Sequence, residues 1–235
     1  MVIFLCLIIL LFQPVLASDY GVYSPDNYSI KSDESERLLF ILDFSNSMNE
    51  YSNGARKIDL MLDTMKKLLP TLNPKIPVGL RVYGHKMGFS AYDACHASSL
   101  VVPVGENRNN IRFILSDLHP KGMTPITYSL KQAVKKDFLG FKGKKHIILL
   151  TDGGENCAES PCQYVMELIK IRKDIYIDVI AFNVEDKDDL EQLECTALVT
   201  SGKFYTASTA AELAESLRNS VSAHKEVDAK ILTNY

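Results

Sequence analysis

The sequence predicts an α/β domain with a doubly wound, mostly parallel six-stranded sheet, one antiparallel edge strand and helices on both faces. Strand patterns alternate with helical patterns through most of the chain, which is typical of this class. Two predicted strands, at residues 38–42 and 146–150, are almost wholly apolar and each runs straight into an aspartate-containing loop. Such runs indicate strands that are buried on both faces of a parallel sheet. The 235 residues suffice for one sizeable domain.

The other elements follow from their periodicity. Further strands are predicted at residues 76–83, 99–104, 175–182 and 202–206. No helical pattern separates 76–83 from 99–104, so these two form a hairpin, and Pro103 suits an antiparallel edge strand. Apolar residues at helical spacing predict helices at 57–69, 111–118, 126–134, 165–169, 190–198 and 210–221.

The amino terminus predicts export. Residues 2–12 form an apolar run that is shorter than the roughly 17 to 25 residues of a membrane span, and Val15 and Ala17 suit a cleavage site before Ser18. We therefore expect a signal peptide at 1–17, a secreted or periplasmic protein, and no stable membrane span after cleavage. No Lys or Arg precedes the apolar run, which leaves an uncleaved anchor as the alternative.

Composition defines the remaining organisation. We predict a polar arm at 18–36, one domain at 37–221 and a polar tail at 222–235. The formal net charge is -3, and the basic residues are scattered rather than concentrated in a patch along the sequence. This pattern argues against a nucleic-acid partner.

Four cysteines follow the predicted signal peptide, an even number in a chain bound for an oxidising compartment. Two disulfides are the natural interpretation, because the cysteine spacing lacks the tight double pairs of zinc modules. Cys95 and Cys157 both fall in loops on the predicted ligand face, so they could pair and leave Cys162 with Cys195. A local bond between Cys157 and Cys162 is the competing arrangement.

Oxygen-bearing side chains follow the two apolar strands. Asp43, Ser45 and Ser47 alternate after the first strand, so in extended backbone their oxygens can point the same way. Asp152 follows the strand at 146–150, and Thr124 opens a helix just before it. In a doubly wound sheet, ligands bind outside the carboxyl ends of the strands where the strand order reverses. These five residues are therefore a candidate ligand set for a hard cation, with Glu155 and Asn156 extending its rim.

Together, three motif segments resemble those of the von Willebrand factor type A (VWA) domain, in the same order along residues 37–221. The segments are Asp43-x-Ser45-x-Ser47, Gly122-x-Thr124-Pro125 and Thr151-Asp152-Gly153. Within the family, Val82-Tyr83-Gly84-His85 and the cysteines around Glu159-Ser160-Pro161 resemble a secreted bacterial branch. The resemblance implies a metal-ion-dependent adhesion site in which Ser45, Ser47 and Thr124 ligate the ion directly and Asp43 and Asp152 act through bound waters.

This ligand set predicts a binding function. Mg²⁺, or Mn²⁺ or Ca²⁺ in its place, would keep an open position for a Glu or Asp carboxylate of a protein partner if its direct ligands are neutral hydroxyls. We expect a metal-dependent adhesion module rather than an enzyme. The alternatives are a VWA subunit of a larger periplasmic or envelope complex and, with less support, a metal-dependent hydrolase.

Overall fold

The computed structural model describes residues 36–106 and 109–232, with side chains described as far as residue 222. The predicted signal peptide, and the predicted arm apart from Glu36, lie outside these residues. The strands are β1 (Arg37–Asp43), β2 (Tyr51–Ser52), β3 (Ala55–Arg56), β4 (Val78–Tyr83), β5 (Ser98–Val102), β6 (Lys145–Thr151), β7 (Ile175–Phe182) and β8 (Phe204–Ala207). The α-helices are α1 (Lys57–Leu68), α2 (Ala91–Ala94), α3 (Asn109–Asp117), α4 (Ile126–Gln132), α5 (Pro161–Leu168), α6 (Lys187–Val199) and α7 (Ala210–Leu232).

Six strands form the central sheet, in the order β5-β4-β1-β6-β7-β8. All neighbouring pairs are parallel except β4 and β5, so the predicted antiparallel edge strand is confirmed. β1 and β6 lie side by side in the middle, and the chain builds the sheet outward in opposite directions from this pair. The carboxyl ends of β1 and β6 therefore meet where the strand order reverses, which is where α/β sheets of this kind bind ligands.

Two apolar layers cover the sheet, and β1 contributes to both of them. Phe40 and Leu42 pack on the side of α1, α3 and α7, whereas Leu39 and Ile41 pack on the side of α4, α5 and α6. All four of these side chains are fully buried. The unbroken apolar run of β1 is thus explained by burial on both faces.

Several local features differ from the sequence prediction. The short hairpin of β2 and β3 and the single turn of α2 lie in segments predicted to be irregular, and a π-helical turn at Ala133–Asp137 continues α4. Helix α7 extends to Leu232, past residue 221 where the tail was predicted to begin. Residues 222–232 contain Ala, Glu and Lys and no Gly or Pro, so nothing in their composition ends a helix. Within the described residues, no helix is both long and apolar enough to cross a bilayer.

Candidate metal centre

The first segment of the site is the loop that leaves the carboxyl end of β1. Asp43 is fully buried, and a 3₁₀ turn at Asn46–Asn49 follows it. The backbone N–H of Ser45 donates to one Asp43 carboxylate oxygen (2.6 Å), and the Thr151 hydroxyl at the end of β6 donates to the other (2.8 Å). This arrangement brings the hydroxyl oxygens of Ser45 and Ser47 within 3.0 Å of each other.

Asp152 enters the same site from the end of β6, because β6 is the neighbour of β1. The Ser47 hydroxyl donates to Asp152 Oδ1 (2.7 Å), and the Lys57 ammonium donates to Asp152 Oδ2 (3.0 Å). Lys57 is the first residue of α1, is 8% exposed, and also donates to Glu50 (3.0 Å). A nearly buried ammonium therefore accompanies the two aspartates of the site.

Backbone contacts bring the third segment to the site. Gly122 forms a parallel bridge with Ser45, and it has no room for a side chain because a Cβ atom would lie 2.5 Å from the Lys86 carbonyl oxygen. Two residues later, the N–H of Thr124 donates to Asn156 Oδ1 (2.7 Å), which fixes the start of α4. Among the hydrogen bonds of the described residues, none uses the Thr124 hydroxyl, so its oxygen is available as a ligand.

The site has an excess of negative charge. Burial, together with the charge of Asp152, raises the pKa of Asp43 to about 6. Burial also raises the pKa of Asp152, although hydrogen bonds from Ser47 and Lys57 oppose this. Burial lowers the pKa of Lys57, but Glu50 and Asp152 outweigh it, so that pKa is raised and the ammonium stays charged. The carboxyl groups of Asp43, Asp152 and Glu50 therefore outnumber the single ammonium group of Lys57.

The donor set fits a hard divalent cation. Both oxygens of Asp43 and both oxygens of Asp152 already accept protein hydrogen bonds. A hydroxyl that donates its proton to a carboxylate, as Ser47 does, turns its lone pairs toward other groups. Hydroxyl and carboxylate oxygens are ligands that Mg²⁺, Ca²⁺ and Mn²⁺ accept. In the described part of the chain, no group of three or more His, Cys, Asp or Glu side chains could hold a metal, so the fit depends on the serine and threonine oxygens.

The structure brings all five predicted site residues to one end of the sheet, together with residues that support them. Thr151 holds Asp43, and Asn156 holds the backbone of Thr124. Glu155 accepts hydrogen bonds from the N–H groups of Thr127 (2.7 Å) and Cys157 (3.0 Å), so its role is to position α4. Lys57 did carry a signal in the sequence, because a cation at the first position of a helix is disfavoured by the helix dipole unless carboxylates compensate it.

Two disulfides stabilise the loops around the site. Cys95 is bonded to Cys157, and Cys162 is bonded to Cys195. The first bond joins the loop after β4 to the loop after β6, whereas the second joins α5 to α6. The local pairing of Cys157 with Cys162 is therefore wrong, and the two bonds indicate an extracytoplasmic location.

The fold and the three motif segments together define a family. The sequence model of the von Willebrand factor type A domain family matches residues 38–219 of this chain. The chain therefore belongs to this family, whose domains bind proteins. A related sequence is the YwmD protein of Bacillus subtilis (strain 168), which is 27% identical over 199 residues. That alignment covers 82% of this chain and 87% of YwmD.

Solved structures show the same fold in matrix and adhesin proteins. Proximal thread matrix protein 1 of the mussel byssus, solved with a zinc-occupied MIDAS motif, has a TM-score of 0.62 and 20% identity, covering 81% of this chain and 46% of that one. The pilus adhesin SpaC of Lactobacillus rhamnosus GG has a TM-score of 0.60 and 14% identity, covering 80% of this chain and 30% of that one. This chain thus spans less than half of either protein, and the likeness concerns the fold.

Proposed function

We propose that this protein is a secreted or periplasmic adhesion-type module, in which a divalent cation bridges the domain to an acidic side chain of a protein partner. Ser45, Ser47 and Thr124 would ligate the ion directly, and Asp43 and Asp152 would hold it through waters. The ion, Mg²⁺ or in its place Mn²⁺ or Ca²⁺, supplies a Lewis-acidic position that a carboxylate can occupy. The observation that supports this most strongly is that protein donors already engage both aspartates, while Ser45 and Ser47 keep hydroxyl lone pairs for the ion and no hydrogen bond among the described residues uses the Thr124 hydroxyl.

The charge of the site supports a bridging role. Protein donors already engage both aspartates, and the proposed direct ligands are neutral hydroxyls, so a bound dication would keep much of its positive charge toward solvent. A partner carboxylate neutralises that charge and replaces a water that the ion holds. A neutral or basic side chain gains nothing comparable, which makes an acidic residue the expected ligand.

The rim of the site supports a protein as the partner. Met87, Phe89 and, in α2, Tyr92 belong to the segment that connects β4 to β5, and they are 74%, 106% and 71% exposed. The bond between Cys95 and Cys157 ties this connecting segment to the segment after Asp152. Exposed aromatic and methionine side chains are enriched at protein interfaces and often dominate their binding energy. The expected epitope is therefore an acidic residue surrounded by apolar side chains.

The test is a quantitative pull-down from an envelope extract with immobilised protein, in Mg²⁺ and in EDTA. The wild type should retain a set of partners in Mg²⁺ that EDTA releases, and Thr124→Ala should lose the same set. Ser116→Ala, which removes an exposed hydroxyl from α3, is the matched control and should behave as wild type. Partners that ignore both EDTA and Thr124→Ala would instead favour a subunit of a larger envelope complex.

We also propose that the domain binds rather than catalyses. Each aspartate oxygen accepts a hydrogen bond from the protein, an arrangement that suits holding ordered waters more than removing a proton from one. A screen with phosphate esters in Mg²⁺ tests this directly. Turnover by the wild type that Asp152→Ala abolishes would establish the hydrolase alternative.

A further inference from the structure

The amino-terminal edge of the sheet, at the opposite end from the candidate metal centre, collects basic side chains. β1, β6 and β7 begin level with one another, with Arg37 beside Lys145 and Lys145 beside Ile175. Because α4 and α5 begin at the metal-centre end and run back along the sheet, the segments that follow them also reach this edge. The exposed basic residues of these segments are Lys135, Lys136, Lys142, Lys144, Lys170 and Lys173.

Acidic side chains balance only part of this charge. Asp174 pairs with Lys145 and Arg172, and Glu167 pairs with Lys170. Four exposed ammonium groups take part in no ion pair or hydrogen bond within the described part of the chain. These four belong to Lys135, Lys136, Lys142 and Lys173.

Two large apolar side chains lie among these lysines. Leu139 and Ile171 are each 80% exposed, and both line a cavity of about 440 Å³ between the ends of α4 and α5. Phe141 also lines this cavity, and its ring stacks under the guanidinium of Arg37 at 4.1 Å. Leu139 and Ile171, the apolar pair, therefore share this cavity with Phe141, whose ring contacts the first residue of β1.

The two ends of the domain differ in charge. The loops and helix starts at the carboxyl ends of the strands carry acidic residues, including Glu50, Asp152, Glu155, Asp186 and Asp189. Since the whole chain has a formal net charge of only -3, its overall charge conceals this separation. An anionic partner would be attracted to one end of the sheet and repelled by the other.

We propose that the basic edge, defined as Lys135, Lys136, Leu139, Lys142, Ile171 and Lys173, binds the surface of a membrane that contains anionic lipid. The lysines match the negative lipid headgroups, and Leu139 and Ile171 can enter the boundary between headgroups and acyl chains. The apolar pair favours a lipid surface over a purely anionic polymer, which has no apolar layer to receive it. In this orientation the candidate metal centre faces away from the bilayer.

The test is vesicle flotation with the chain from Ser18 onward, the predicted mature form, which lacks the apolar run at residues 2–12. Vesicles of phosphatidylcholine alone are compared with vesicles of equal parts phosphatidylcholine and phosphatidylglycerol, in EDTA. Each basic residue near an anionic surface strengthens binding about fivefold, so the double variant Lys142→Glu/Lys173→Glu should bind the anionic vesicles at least about 30-fold more weakly. Lys86→Glu/Lys187→Glu, with the same change in net charge at exposed positions of the metal-centre end, should bind as wild type.

A second pair of variants separates a lipid surface from an anionic polymer. Leu139→Ser/Ile171→Ser should lose about tenfold in affinity for the anionic vesicles, whereas Met87→Ser/Phe89→Ser, at 74% and 106% exposed positions of the metal-centre end, should lose none. Circular dichroism verifies that every variant is folded. Equal binding to both kinds of vesicle, or to neither, overturns the proposal. Tight binding to soluble polyphosphate, with no effect of Leu139→Ser/Ile171→Ser on vesicle binding, would assign the edge to an anionic polymer instead.

Discussion

Replacing Lys57 with methionine tests two effects of its ammonium group, which we expect to stabilise the fold and to weaken the binding of a divalent cation. Its ammonium lies 3.0 Å from a carboxylate oxygen of Asp152, and the side chain of Asp152 is fully buried. At an effective dielectric constant of about 20, charges at that distance attract by about 5 kcal/mol, and desolvation of the ammonium offsets part of this. We therefore expect Lys57→Met to lower the free energy of unfolding in EDTA by about 3 kcal/mol.

Metal affinity should change in the opposite direction. Without Lys57 the site loses the one ammonium group that accompanies its carboxylates. Even at the dielectric constant of water, an ammonium and a dication about 6 Å apart repel by about 1.4 kcal/mol, so Mg²⁺ should bind at least about tenfold more tightly to the variant. Saturating Mg²⁺ should then recover much of the lost stability, because it binds the folded state alone.

Urea unfolding in EDTA and in Mg²⁺, together with calorimetric titration of Mg²⁺, measures both effects. Lys57→Arg keeps the charge and should leave the affinity close to that of wild type. Lys66→Met, at an exposed position of the same helix, controls for the loss of a lysine as such. Weaker Mg²⁺ binding by Lys57→Met would show that the ammonium supports the ion rather than competing with it, and the charge reasoning would fail.

Two further predictions concern the support of the site and the core. Removing either disulfide by double Cys→Ser substitution should cost about 4 kcal/mol of stability, given loops of 62 and 33 residues. Calorimetry should show weaker Mg²⁺ binding only without the Cys95–Cys157 bond, and equal affinities would mean that this bond does not organise the site. Burial lowers the pKa of His146, but the flanking carboxylates of Glu36 and Asp178 outweigh this effect, so the pKa is raised. The protonated form therefore adds stability that is full below about pH 6.5 and lost as the pH rises through the raised pKa. Urea unfolding from about pH 6.5 upward should show a steeper decline in wild type than in His146→Gln, and identical profiles would contradict the assignment.

The fold could be predicted from the sequence because its strongest signals are local. The apolar runs of β1 and β6 end in aspartates, and in a parallel sheet such ends meet wherever the strands are neighbours. The end of α7 could not be predicted from its apolar face. That face fades after Val221, but helix-forming residues continue, and apolar periodicity reports packing rather than where a helix stops.

The motif residues of the candidate site were predicted from the sequence, whereas the supporting contacts of Lys57 and Asn156 were not. Asp43, Ser45 and Ser47 are close in sequence, so their spacing alone suggests a ligand set. Lys57 and Asn156 act through contacts with residues far away in the chain, 95 positions in the case of Lys57 and Asp152. No periodicity encodes such contacts, since they depend on how α1 and the loop after β6 pack in three dimensions.

A crystal structure with Mn²⁺, located by its anomalous scattering, tests the central claim most directly. We predict one ion within bonding distance of the hydroxyl oxygens of Ser45, Ser47 and Thr124, with waters between the ion and the carboxylates of Asp43 and Asp152. At least one further water should occupy the position that a partner carboxylate would take. An ion bound directly by both aspartates, or no ion at this end of the sheet at saturating Mn²⁺, would contradict the account.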